Sequence, residues 1–280
     1  MTDPLRWTVG DVTITRVEET ITPLAASALI PGATSEVLDE HPWVKHYFTD
    51  EGELRLSIHA FVVQSGSTTI VVDTCVGTAK KRPLPTDPAF LDRLGAEVDG
   101  GIEGVDVVLC THLHMDHCGW NTIEVDGDLV PTFPNARYLI TQAELDSLGD
   151  ERHAVSVREA SVDPIAEAGL LDAIEPDHRI TPEVVLIPTP GHTPGHVSVL
   201  ITSGDQTALI TGDAFHSPVQ IARPDLAAEP FDADSEQSTA TRHKLLADYA
   251  DSDTLVLGTH FAPPTAGHIV KEGETHRLRS

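Results

Sequence analysis

The stretch Val105-Asp106-Val107-Val108-Leu109-Cys110-Thr111-His112-Leu113-His114-Met115-Asp116-His117 decides how this chain is read. Its first half is a short apolar run, the pattern of a buried strand. Its second half places four ligand-type side chains among six positions. His112 and His114 are two apart, which at a strand end puts both imidazoles on one face. Asp116 and His117 follow where the chain must turn, and so approach the same place from another side. A lone histidine is ordinarily a hydrogen-bonded core or surface residue. Imidazoles and carboxylates packed this densely after a buried strand are instead the donor set of a metal site with open positions.

Three further segments repeat the arrangement, an apolar run ending in a ligand-type residue. Val184 to Ile187 leads into Pro190-Gly191-His192-Thr193-Pro194-Gly195-His196, Ala208 to Thr211 into Gly212-Asp213, and Leu255 to Leu257 into Gly258-Thr259-His260. Glycines beside each ligand permit tight turns. In α/β proteins ligands collect at the sheet edge where strands end. The expectation is that these strand ends bring His112, His114, Asp116, His117, His192, Asp213 and His260 to one edge.

The remaining chain fits a layered α/β architecture. Strands are expected over 5–20, 54–64, 69–73, 137–140, 196–201 and 207–211, with 254–257 as the last core strand. Helices are expected over 86–98, capped by Thr86, over a stretch opened by the capping box Thr141 and Glu144, and over 163–170 and 235–250. Residues 21–55 read as irregular. Residues 214–234, with Pro218, Pro224 and Pro230, read as a long loop of the kind that often serves a site. No linker divides the chain, so residues 1–280 read as one domain.

Composition narrows the function. The 280 residues carry 15 histidines and a formal net charge of -26. Such a surface repels phosphate backbones and anionic membranes, which argues against nucleic acid or membrane as partner. No stretch approaches a membrane span, and the N-terminus lacks signal-peptide character. Cys75, Cys110 and Cys118 are too few for a disulfide framework and suit a reducing cytoplasm.

The H-x-H-x-D-H run, the T-P-G-H-T-P-G-H segment, Gly212-Asp213 and the late Gly-Thr-His resemble the metallo-β-lactamase superfamily over roughly residues 10–270, and most of all its N-acyl homoserine lactonase and methyl parathion hydrolase branch. The resemblance implies a four-layer αβ/βα sandwich. It implies that His112, His114 and His192 hold a first metal, that Asp116, His117 and His260 hold a second, and that Asp213 bridges them. Asp73 matches an early Asp that orients a ligand histidine. His196 matches a histidine that does not ligate. Relatives are often dimers, so a homodimer is compatible with the resemblance.

Mixed nitrogen and oxygen donors suit two Zn2+ ions best, although iron, manganese or cobalt also fit. The implied reaction is hydrolysis of a small-molecule lactone or other carboxylic ester by a metal-bridging hydroxide, with Asp116 or Asp213 carrying the proton. The alternatives are phosphotriester hydrolysis and an iron-dependent thioester or persulfide reaction. The lactonases of this branch carry a tyrosine three residues after the bridging Asp. Here His216 stands there, either as an oxyanion donor or as a packing residue. Trp43, Phe48, Trp120 and Phe215 are the aromatic candidates for an apolar pocket wall.

Overall fold

Val108 and Leu109 point to opposite faces of one strand, and that alternation builds the layers of the molecule. The computed structural model describes residues 4–78, 84–149, 152–229 and 231–280, and Pro230 lies outside them. Strands β1 (Arg6–Val9), β2 (Val12–Ala25), β3 (Glu53–Ser65), β4 (Thr68–Val72), β5 (Val107–Leu109), β8 (Arg137–Thr141) and β9 (Leu171–Ile174) form one sheet in the order β1-β2-β3-β4-β5-β8-β9. The hairpin β6 (Thr122–Val125) and β7 (Asp128–Pro131) lies between β5 and β8 in the chain. Strands β10 (Val184–Pro188), β11 (Val197–Ser203), β12 (Gln206–Ile210), β13 (Leu255–Leu257), β14 (Ala266–Glu272) and β15 (Thr275–Arg279) form the second sheet in sequence order.

Ile70, Val72 and Leu109 of the first sheet meet Ala208, Ile210 and Leu257 of the second in one buried cluster between the sheets. Val71 and Val108 face the other way, onto Phe90, Leu94, Val157 and Ile165 from the helices outside the first sheet. Leu209 and Val256 likewise face Leu245 and Leu246 of the helix Ser235–Tyr249. This is the helix–sheet–sheet–helix sandwich expected. Each buried Val or Leu contributes roughly 1.5–3 kcal/mol by leaving water.

Strands β4, β5 and β8 run parallel, as do β12 and β13. The ends that carry the ligand-type residues therefore share an edge. The Val197 N–H donates to the Thr111 carbonyl at 3.1 Å and joins the two sheets there.

Several sequence expectations are corrected. The helix near 86–98 runs only Phe90–Ala96, because the Thr86 hydroxyl donates to Glu19 instead of capping it. Residues 254–257 are not the last core strand, since β14 and β15 follow. The 214–234 loop contains a helical turn, Val219–Ala222. Thr141 does cap the helix Gln142–Ser147 by accepting the Glu144 N–H.

Candidate metal centre

Strand β5 stops at Leu109, and the following turn is shaped by Asp73 at the parallel end of β4. Asp73 sits at φ +60°, a strained position for a residue with a Cβ, and its Oδ1 accepts the Thr111 N–H at 2.8 Å. Gly212 adopts φ +53°, and a Cβ there would lie 2.6 Å from Nε2 of His196. Only glycine can bring Asp213 around this turn.

The donor atoms converge closely. Nδ1 of His114 lies 3.0 Å from Nε2 of His112 and 2.9 Å from Nε2 of His192. Nε2 of His117 lies 3.2 Å from Nε2 of His260, with Asp116 Oδ2 3.6 Å from the latter. Asp213 stands between the two sets. Its Oδ2 is 3.4 Å from His192 Nε2 and 3.3 Å from His117 Nε2, and its Oδ1 is 3.3 Å from His260 Nε2. Within each of the groups His112-His114-His192 and Asp116-His117-His260, the donors lie within 4.8 Å of one another. So many nitrogen lone pairs and carboxylate oxygens facing one another fit divalent cations, and the buried Oδ1 of Asp213 has no hydrogen-bond partner among the described residues.

The electrostatics agree. Burial holds His112 and His192 well below the usual imidazole range, so both are neutral and ready to ligate. Burial would push His117 the same way, but Asp213, Asp73 and Asp116 outweigh it and raise that imidazole well above its usual value. Burial is likewise outweighed by Asp213 and Asp116 at His260. This half of the centre demands positive charge.

The far sides of the His117, His260 and His192 rings are held. Nδ1 of His117 meets Oδ2 of Asp73 at 2.9 Å, and Nδ1 of His260 meets the Ser57 carbonyl at 2.8 Å. Nδ1 of His192 meets Oδ1 of Asp232 at 3.0 Å. Such outer contacts fix the ring orientation and tautomer. The role of Asp232 is not visible in sequence: it lies 40 residues from His192 in a stretch without a motif. Nε2 of His196 accepts the Asp213 N–H at 2.8 Å, so its proton is on Nδ1, which donates to the Thr189 carbonyl at 3.0 Å. Burial pushes its pKa down to about 4, consistent with a neutral acceptor. His196 positions Asp213 through the backbone.

A cavity of about 450 Å³ opens onto these donors, lined by Leu24, Leu29, Leu56, Leu84, Met115 and Phe231 beside His114, Asp116, His192, Asp213, His216 and His260. No arginine or lysine is among the described lining residues. None of the four aromatic candidates lines it. Trp120 is buried, stacks on Phe90 and donates its indole N–H to Glu19 at 2.8 Å. Phe48 and Phe215 fill the core outside the second sheet, where Trp43 also packs, with Arg277 over its ring. The aromatic wall is Phe231, 47% exposed. A phenylalanine in a proline-flanked loop carries no periodicity that would mark it. His216 does face the cavity. Its Nε2 is 3.2 Å from Asp213 Oδ2, and neither ring nitrogen has a hydrogen-bond partner among the described residues.

Fold and donor set together define a sandwich protein with a clustered His/Asp centre, and the sequence gives the class its name. Residues 54–260 match the Metallo-beta-lactamase superfamily, and this chain belongs to it. Among curated relatives, an N-acyl homoserine lactonase of Bacillus sp is 31% identical over 129 residues, 46% of this chain and 44% of the relative. One of Bacillus cereus is 33% identical over 112 residues, 39% of this chain and 38% of the relative. The chain thus spans less than half the length of these relatives. Two solved structures share the fold over nearly the whole chain. The hydrolase AbOPH has a TM-score of 0.82 at 24% identity, covering 99% of this chain and 97% of that one. AidC, described as a dizinc quorum-quenching lactonase with a bound product, has a TM-score of 0.81 at 19% identity, covering 99% and 96%.

Proposed function

We propose that this chain is a hydrolase of neutral lactones and related carboxylic esters, working as one domain with two divalent ions, zinc by preference. His112, His114 and His192 would hold one ion, Asp116, His117 and His260 the other, with Asp213 shared. When bound, such a pair supplies Lewis acidity and lowers the pKa of water toward roughly 7.

The chain's own groups do the rest. Asp213, enclosed by imidazoles, holds the two halves together. Asp116 is partly open to the cavity, and so is the carboxylate better placed to carry a proton to the leaving oxygen. His216, whose ring nitrogens make no hydrogen bond among the described residues, donates to the developing oxyanion. Leu24, Leu29, Leu56 and Phe231 receive an apolar substituent and exclude water. The buried thiols Cys75, Cys110 and Cys118 suit a reducing compartment such as the cytoplasm. Among the described residues no helix is long and apolar enough to cross a membrane.

The observation that carries this reading is the donor cluster at the floor of an apolar cavity whose described lining has no cation. Away from the donors themselves, the described lining gives a charged substituent no side-chain cation to pair with, and suits an uncharged, apolar one. A neutral phosphotriester would suit the same walls. The test is a turnover screen of the zinc-loaded protein over N-acyl lactones, aryl esters, phosphotriesters and thioesters. Lactones and esters should lead, and preference for a charged phosphomonoester would contradict the assignment.

A further inference from the structure

Glu144 is a buried carboxylate with no part in the chemistry above. Its Oε2 accepts the Leu113 N–H at 3.0 Å, and its Oε1 accepts the Gly195 N–H at 2.9 Å. Leu113 lies between His112 and His114. Gly195 lies between His192 and His196. One side chain therefore spans the two loops that carry all three imidazoles of the first cluster, 31 and 51 residues away along the chain. The same helix start makes a second tie, because the Thr141 hydroxyl donates to the Gly195 carbonyl at 2.8 Å. The fit leaves no slack: a Cβ on Gly195 would lie 2.4 Å from the Glu144 backbone nitrogen. The sequence pattern assigns Glu144 to a capping box, yet its carboxylate reaches across to these loops instead.

A buried carboxylate carries a desolvation cost. An apolar side chain would fill this space without it, but could not accept two N–H groups from separate loops. Charge-assisted bonds of this kind are roughly twice as strong as neutral ones. Metal affinity depends on donors held to about half an ångström, and the loops themselves supply little regular structure.

We propose that Glu144 is a positioning residue that staples the His112–His114 loop to the His192–His196 loop and so sets the spacing of the three imidazole donors. This rests on reading those imidazoles as a metal cluster. It differs from the roles of Asp73 and Asp232, which touch ligand rings directly.

The test is Glu144→Gln, which keeps size and shape but turns an NH2 toward one of the two N–H groups and releases that loop. Zinc affinity, measured by competition with a chromophoric chelator, should fall roughly 10–100-fold for one of the two ions. The d–d spectrum of the cobalt-substituted protein should change with it. Glu144→Asp, one methylene too short to span both loops, should behave alike. A purely structural role would lower the melting temperature while leaving affinity and spectrum at wild-type values, and that result overturns the staple. If neither variant folds, hydrogen exchange on the unmutated holoprotein decides: the Leu113 and Gly195 amides should be the slowest of their loops, and exchange as fast as their neighbours overturns the proposal. A wild-type chain that binds no zinc or cobalt would instead sink the metal reading itself.

Discussion

The two halves of the centre use the same residue type in opposite electrostatic settings. Around His112, His114 and His192, burial dominates and keeps His112 and His192 neutral. A few ångströms away, Asp213, Asp73 and Asp116 overcome burial at His117. The supports differ as well. His117 and His260 lean on Asp73 and Ser57, which belong to the end of β4 and to β3. His192 leans on Asp232, which comes from a loop, is itself near the buried Arg242 and follows the exposed Phe231. One half is thus anchored in the sheet and attracts a cation by charge. The other is held by loops and offers neutral lone pairs.

Removing what the halves share should do most damage. Asp213→Ala should release both ions and lower turnover by roughly 10³-fold or more, since several kcal/mol of transition-state stabilisation leave with the metals. Full metal content by elemental analysis would show that Asp213 joins nothing. Next, His114→Ala and His260→Ala should each leave about one ion per chain, from opposite halves; cobalt spectra of the two variants that coincide would erase the distinction between them. More modestly, Asp232→Asn and Asp73→Asn should each weaken one ion by roughly 10–100-fold, as read by chelator competition. If either weakened both ions equally, the supports would not be private to their halves. The smallest effect belongs to Phe231→Ala, which should raise KM by roughly tenfold or less for substrates with an apolar chain while leaving metal content unchanged. Loss of an ion there would mean that the cavity wall and the Asp232 support are one unit.

Much of this was legible before the fold was known, for a physical reason. The ligand-type residues follow short apolar strands, and the near-continuous burial of Val107–Leu109 or Ala208–Ile210 is a local property that a continuous apolar run displays in sequence. The edge to which they converge follows from parallel pairing of strands. What escaped is set by contacts across the chain. Asp232 reaches His192 from 40 residues away, and Glu19 accepts hydrogen bonds from both Thr86 and Trp120, removing the expected helix cap and one expected pocket residue. Phe48 and Phe215 read as wall candidates because aromatic side chains in loops look alike whether they face a cavity or a core. Strands β14 and β15 escape the apolar-run pattern because their exposed positions carry charge, as in Lys271, Glu272 and Arg277.

The central claim is that these converging side chains work through a pair of bound cations. Metal content and turnover of an acyl lactone, followed together through chelation and zinc restoration, test it most directly. The account predicts two divalent ions per chain, loss of turnover as they are withdrawn and its return as zinc is added back. Undiminished turnover by protein stripped of transition metal would contradict it.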